Sequence, residues 1–233
     1  QEWYLSLERM RAIEEIDPVS RIVVVQAGVV LQTLQDAVAE QGLLFAVDLG
    51  ARGSATVGGL VATNAGGERV LRFGMMREQV LGLEVVLADG TVLDLMDRVL
   101  KNNAGFDLKQ LFIGSEGTLG IVTRAVLRLR PAFAGHDAAF LSLRALADLP
   151  RLLTRLEAGL GGTLSAFELM WPEFLQTMTE GAGAQHRMPL GPGAAGYLLV
   201  EAEGGNPETD QKRFMVVLEQ LLEDGVIADA AVA

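Results

Sequence analysis

TVGGLVATNAGG, residues 56–67, sets two glycine pairs around an Ala-Thr-Asn core. A flexible linker would be richer in Ser and Pro and would lack Val57, Leu60 and Val61. A regular helix would lose up to about 1 kcal/mol for each glycine it carries in place of alanine. Glycine this dense inside an apolar stretch predicts a backbone that something approaches closely. The donors around it fit an anion. Ser54 and Thr56 offer hydroxyls, Gly58 and Gly59 bare backbone, Thr63 and Asn64 further polar groups, and Gly66 another small residue. The same glycines also fit tight turns and close helix–sheet packing, and their spacing alone leaves both readings open. The sequence has neither the G-x-G-x-x-G fingerprint nor a P-loop here. No lysine lies between Gly50 and Leu100, so a phosphate held here would rest mainly on neutral donors.

Moving outward, the composition bounds the answer. The chain has 233 residues, half of them hydrophobic, enough for one large or two small cores. Cysteine is absent, which removes disulfides, thiolate metal sites and a cysteine nucleophile. The formal net charge is −11, with no Lys/Arg cluster, so a nucleic-acid partner is not expected. No apolar run reaches the roughly 20 residues a membrane span needs. QEWYLSLERMR at the start lacks the apolar stretch of a signal peptide. The expectation is a soluble, cytoplasmic chain. Trp3, Tyr4, Leu5 and Leu7 read as a strand already under way, as in a piece of something longer.

Residues 21–28 read as a strand, 31–40 as a helix with apolar Leu31, Leu34, Ala37 and Val38 on one face, and LLFAV (43–47) as a second strand. LGLEVVLADGTVLDL (81–95) reads as a hairpin whose Asp89-Gly90 favours a type I′ turn. Residues 107–131 read as a short helix, a glycine-containing turn and a long strand. Arg124, Val126, Arg128 and Arg130 fall on one side of that strand and Ala125, Leu127 and Leu129 on the other. After Pro131 the pattern is strand (138–143), helix (145–160), strand (163–170), a short helix opened by Pro172, a Gly/Pro-rich loop (181–196), strand (196–203), helix (207–225) and a final strand. With the insert at 171–195 set aside, the order is β-α-β-β-α-β, the ferredoxin-like unit.

A second glycine-rich turn, IGSEGTLGIVT (113–123), reads either as another wall of the same ligand site or as a helix-to-strand connection with Gly117 and Gly120 at positive φ. Together, TVGGLVATNAGG, RFGMMREQVLGLEVVLADG, KNNAGFDLKQLFIG and GSEGTLGIVT resemble the flavoprotein family of vanillyl-alcohol oxidase and bacterial D-lactate dehydrogenase. Within it the chain is most similar to the branch of D-2-hydroxyglutarate dehydrogenase and the glycolate oxidase flavin subunit. The resemblance runs from about Leu5 to Pro131 and, more weakly, through FELM (167–170) to the end.

The resemblance implies an α+β chain: the second part of a two-part FAD-binding domain at 1–131, then a ferredoxin-like substrate or cap domain at 132–233. It implies that an upstream glycine-rich loop and a downstream H-x-G-D-G-N-like segment lie outside the chain, and that the fragment alone is inactive. The cofactor implied is FAD. Ser54, Thr56, Gly58 and Gly59 would lie along the pyrophosphate, and Thr63, Asn64 and Gly66 near the flavin. Glu116, Gly120 and Ile121 would lie against the ring or the adenosine half. The implied reaction is oxidation of a D-2-hydroxyacid by hydride transfer to flavin, with an electron acceptor of unspecified type and with a homodimer left open. A flavin oxidase acting on another alcohol and a non-catalytic ligand-binding module are the alternatives.

The sequence departs from the branch at Ala46 (commonly Pro), Leu60 (frequently Asn), and Phe73 and Phe106 (frequently Tyr). No contact made by those tyrosine hydroxyls carries over. No catalytic base is assigned, and it is expected outside the chain. His136 and His186, without metal-ligand spacing, imply no metal site. Arg52, Arg69, Arg72 and Arg77 flank the glycine motif, and one of them could pair with a substrate carboxylate.

Overall fold

A computed structural model describes residues 4–179 and 187–233. The chain divides into two compact units, Gln1–Ala132 and Phe133–Ala233.

The first unit contains β1 (Ile13–Asp17), β2 (Ile22–Gln26), α1 (Leu31–Ala39), β3 (Leu43–Leu44) and three short helices, α2 (Val57–Ala62), α3 (Val70–Phe73) and α4 (Met76–Gln79). They are followed by β4 (Val80–Val86), β5 (Val92–Leu95), α5 (Lys109–Phe112), β6 (Ile121–Arg128) and β7 (Arg130–Pro131). Five strands form one antiparallel sheet in the order β1-β2-β6-β4-β5, and β3 pairs with β7. The sheet buries both faces at its centre, which explains why IVVVQ is a near-continuous apolar run rather than an alternating one. Val23, Val25, Ala125 and Leu127 face a core shared with Leu31, Leu34 and Val38 of α1 and with Val57, Leu60 and Val61 of α2. Ile22, Val24, Leu81 and Val126 form a smaller apolar patch on the opposite face.

Several expectations change here. Tyr4–Leu7 form no strand and Tyr4 is 90% exposed, because no partner strand lies beside them among the described residues; Trp3 lies outside those residues. IEEID, for which the sequence predicts no element, is an edge strand, a place where charged side chains are tolerated. LLFAV keeps only Leu43 and Leu44 in a ladder, and Phe45–Val47 are buried without one. The 86–92 turn is not type I′, which needs positive φ at both central residues. Asp89 has no positive φ and Gly90 alone does, at 87°. Leu87 N–H donates to Thr91 O and Gly90 N–H to Leu87 O, closing a longer loop.

The second unit contains β8 (Gly135–Leu143), a 3₁₀ turn, α6 (Leu149–Leu160), β9 (Leu164–Met170), α7 (Pro172–Thr179), β10 (Gly196–Gly204), α8 (Pro207–Glu223) and β11 (Ile227–Val232). Its sheet order is β11-β8-β10-β9, with every pair antiparallel. In order of appearance this is fourth, first, third, second, so the first and third strands are interior, the ferredoxin-like arrangement. Leu152, Leu156 and Leu160 of α6 and Phe214, Val217, Leu218 and Leu221 of α8 present helical-period stripes to one side of the sheet. On the other side, Phe140 and Tyr197 stack with ring centroids 5.6 Å apart, and Tyr197 joins a small cluster with Leu175 of α7.

Candidate functional site

The two glycine-rich segments meet. Gly114 N–H donates to Val61 O at 3.0 Å and Glu116 N–H to Ala62 O at 2.8 Å, so the 113–120 turn docks on the C-terminal end of α2. Arg77 fastens the junction. Its backbone N–H donates to Asn64 Oδ1 at 2.9 Å, and its guanidinium donates to Gln110 O at 2.9 Å, Gln110 Oε1 at 2.6 Å and Ile113 O at 2.6 Å. Those carbonyls lie at the C-terminal end of α5, where a helix leaves acceptors unsatisfied.

Each expected residue has a definite place. Thr56 caps α2, its Oγ1 accepting from Gly59 N–H at 3.4 Å. Ser54 is exposed and donates to Ala51 O at 3.3 Å. Gly58 does not offer open backbone. Its N–H is given to Ala27 O at 2.7 Å, and a Cβ there would stand 2.8 Å from Ala27 Cβ. Gly58 is a packing glycine, seating α2 on the end of β2. Val57 N–H is likewise spent on Val29 O, so the first turn of α2 is not the array of free N–H groups anticipated. Gly59, in contrast, is exposed, and a Cβ there would meet only Thr56 Oγ1, at 3.4 Å.

Thr63 Oγ1 bonds back to Gly59 O at 2.9 Å. Asn64 adopts a left-handed conformation (φ 46°), and its side-chain oxygen is held by Arg77. A Cβ on Gly66 would come within 3.1 Å of Val70. In the second motif Glu116 is exposed at φ 52°, with Gly114 and Gly117 also at positive φ. Gly120 is not at positive φ; it is small because Val85 Cγ1 would lie 2.7 Å from a Cβ. Ile121 opens β6, paired with Val86. Ser54 and Gly59 of the first segment and Glu116, Gly117 and Leu119 of the second are all exposed, so neutral hydroxyl and backbone groups of both segments reach the surface. This donor set fits a cofactor that presents oxygen acceptors to backbone rather than to lysines.

Sequence reasoning missed Gly67 and the role of Arg77. Gly67 has φ 148°, and a Cβ on it would lie 1.8 Å from Asp48 O. Asp48 in turn accepts from Arg52 (3.1 Å) and pairs with Arg69 (3.5 Å). Arg72 stacks 5.0 Å over the Phe73 ring. The four flanking arginines therefore have partners inside the unit. His136 pairs with Glu201 at 3.6 Å, and His186 lies outside the described residues. Among the described residues no group of three or more His, Cys, Asp or Glu is placed to hold a metal ion, and no helix is long and apolar enough to cross a membrane.

Comparison with known proteins bears on this geometry. The family described as "FAD binding domain" matches residues 1–96, and the family described as "FAD linked oxidases, C-terminal domain" matches residues 137–233. The chain is 43% identical over 225 residues to a D-2-hydroxyglutarate dehydrogenase, mitochondrial, of Bos taurus, covering 97% of the chain and 41% of the relative. It is 38% identical over 233 residues to a D-2-hydroxyglutarate dehydrogenase of Xanthomonas citri pv. viticola, covering 48% of that protein. The solved structure of alkyldihydroxyacetonephosphate synthase superposes with a TM-score of 0.74 at 19% identity, over 96% of the chain and 43% of the synthase, a likeness of fold. The chain thus spans less than half the length of these relatives.

The cytoplasmic expectation is overturned by the relatives' names, since the dehydrogenases of cattle and rat are both called mitochondrial. That expectation rested on the first few residues of a chain that spans only part of its relatives. FAD is the cofactor of the matched families, and the chain belongs to the FAD-linked oxidases: residues 1–96 to their FAD-binding domain and residues 137–233 to their C-terminal domain.

Proposed function

We propose that the chain is the flavin-holding and cap-forming portion of an FAD-dependent D-2-hydroxyacid dehydrogenase, with D-2-hydroxyglutarate the first substrate to test. The observation that carries this reading is the docking of the 113–120 turn on α2, which makes one surface of two glycine-rich segments inside a unit of the FAD-binding family. The identity to two D-2-hydroxyglutarate dehydrogenases supports the substrate class.

Bound FAD supplies the two-electron acceptor for the hydride leaving C2 of the hydroxyacid. This chain's part is to hold and exclude. Ser54, Thr56, Gly59, Thr63, Asn64 and Gly66 form one wall, and Glu116, Gly117, Gly120 and Ile121 the other. Gly58 supports the first wall from behind by packing α2 on Ala27. Backbone and hydroxyl donors fix the cofactor's position, and residues 133–233 are the substrate or cap portion. The hydroxyl proton goes to a base this chain is not assigned, and the electrons pass to an acceptor of unspecified type.

The test is anaerobic mixing of the purified full-length protein with D-2-hydroxyglutarate, D-lactate or glycolate. Loss of the oxidised flavin absorbance with D-2-hydroxyglutarate, and stoichiometric appearance of 2-oxoglutarate, is the expected result. A protein that purifies without flavin and takes none up sinks the proposal, and reduction by a different alcohol alone would make it an oxidoreductase of another substrate class.

A further inference from the structure

Resting on the flavin reading above, we infer that Arg77 is a positioning residue for the cofactor: it sets the spacing between the two glycine-rich walls without touching FAD itself. Three observations converge on it. The backbone N–H of Arg77 fixes Asn64, the left-handed residue at the end of the first motif. Its guanidinium is shared among Gln110 O, Gln110 Oε1 and Ile113 O, at the start of the second motif. Gly114, next in the chain, comes close enough to Asn64 that an added Cβ would stand 3.3 Å from Asn64 Cβ. Arg77 therefore ties the two walls together, its backbone holding the first and its half-buried side chain the second.

The geometry asks for arginine specifically. Three acceptors in different directions are met by the planar fork of a guanidinium, whereas an ammonium is a point charge on a flexible stem and cannot hold the same fork. Among the described residues, the guanidinium of Arg77 bonds to carbonyl oxygens and one amide oxygen rather than to a carboxylate. If the walls part or slide, the donors on each remain present but no longer face one ligand together. The loss then appears as weakened binding of FAD by folded protein, which distinguishes positioning from a purely structural role.

The experiment measures FAD dissociation from the full-length protein by quenching of flavin fluorescence, at a temperature where circular dichroism shows each variant folded. The variants are Arg77→Lys and, as control, Arg124→Gln, which breaks a comparable set of side-chain bonds to Glu14 and Glu84 on the sheet. Arg77→Lys is expected to raise Kd by about tenfold or more, the equivalent of one hydrogen bond to a charged group, and to change the visible circular dichroism of bound flavin. Arg124→Gln should leave Kd unchanged. A folded Arg77→Lys protein with wild-type Kd overturns the inference, as does an equal rise in the control. Should Arg77→Lys not fold, Gln110→Met removes one acceptor only, and an unchanged Kd there overturns the inference equally. A wild-type protein that binds no FAD overturns the underlying reading instead.

Discussion

At the scale of single residues, the glycines of 56–67 do different things for different reasons. Gly67 is required by geometry, with φ 148° and Asp48 O directly where a side chain would start. Gly67→Ala is expected to cost about 3 kcal/mol or more, measured by urea unfolding. Gly58→Ala, against Ala27, should cost about 1–3 kcal/mol through overpacking. Gly59→Val stands apart, because its side chain enters open space. The variant should fold and remain soluble yet purify with little flavin, and full FAD occupancy would remove Gly59 from the cofactor wall. The density of glycine was legible in the sequence, and so was the choice it left between close packing and a ligand. Which glycine serves which purpose was not, because the deciding neighbours, Ala27 and Asp48, are distant in the chain. Arg77 was illegible for the same reason: its acceptors lie 33 and 36 residues away.

At the scale of elements, periodicity located α1, β6, α6, α8 and the order of the second sheet. It failed where a strand is an edge, as in β1, or where a backbone is extended but unpaired, as at Phe45–Val47. Two carboxylates on these strands should respond to pH in opposite senses. Glu14 on β1 is held below the usual carboxylate range, chiefly by its hydrogen bonds from Arg124 on β6. A lowered pKa stabilises the fold above the unfolded value, about 4.3, and that contribution is lost as pH falls through the folded value. Arg124→Gln should therefore lower Tm at neutral pH and shrink the difference from wild type on acidification. Asp137 on β8 is pushed up by burial and then by Asp210 on α8. A raised pKa means that its penalty is absent below the unfolded value, about 3.9, and appears as pH rises through the folded one. Asp137→Asn is expected to raise Tm at neutral pH and to converge with wild type in acid, and a lower Tm at neutral pH would contradict this.

At the scale of the whole molecule, each of the two units has a main hydrophobic core of its own among the described residues. The second is closed by four strands and two helices, and its buried hydrophobic cluster runs from Ala139 to Ile227. Residues 133–233 expressed alone should therefore melt in one cooperative transition with native near-ultraviolet circular dichroism. A broad, non-cooperative melt would mean that the unit needs its neighbour. The β-α-β-β-α-β order could be read from sequence because each element is local. The first sheet could not be ordered that way, since β6 at its centre pairs with β2, some hundred residues earlier in the chain, as well as with β4.

That separation has a cost during synthesis. β2, almost wholly apolar, sits between β1 and β6, and β6 begins only at Ile121. A ribosome adding about 5–20 residues per second leaves β2 waiting about 5–20 s for its second neighbour. Through that interval IVVVQ is a hydrophobic strand with one edge unpaired, the kind of segment that nascent-chain chaperones shield and that crowded polysomes cross-pair. The yield of soluble protein should thus follow translation speed and chaperone supply more closely than equilibrium stability.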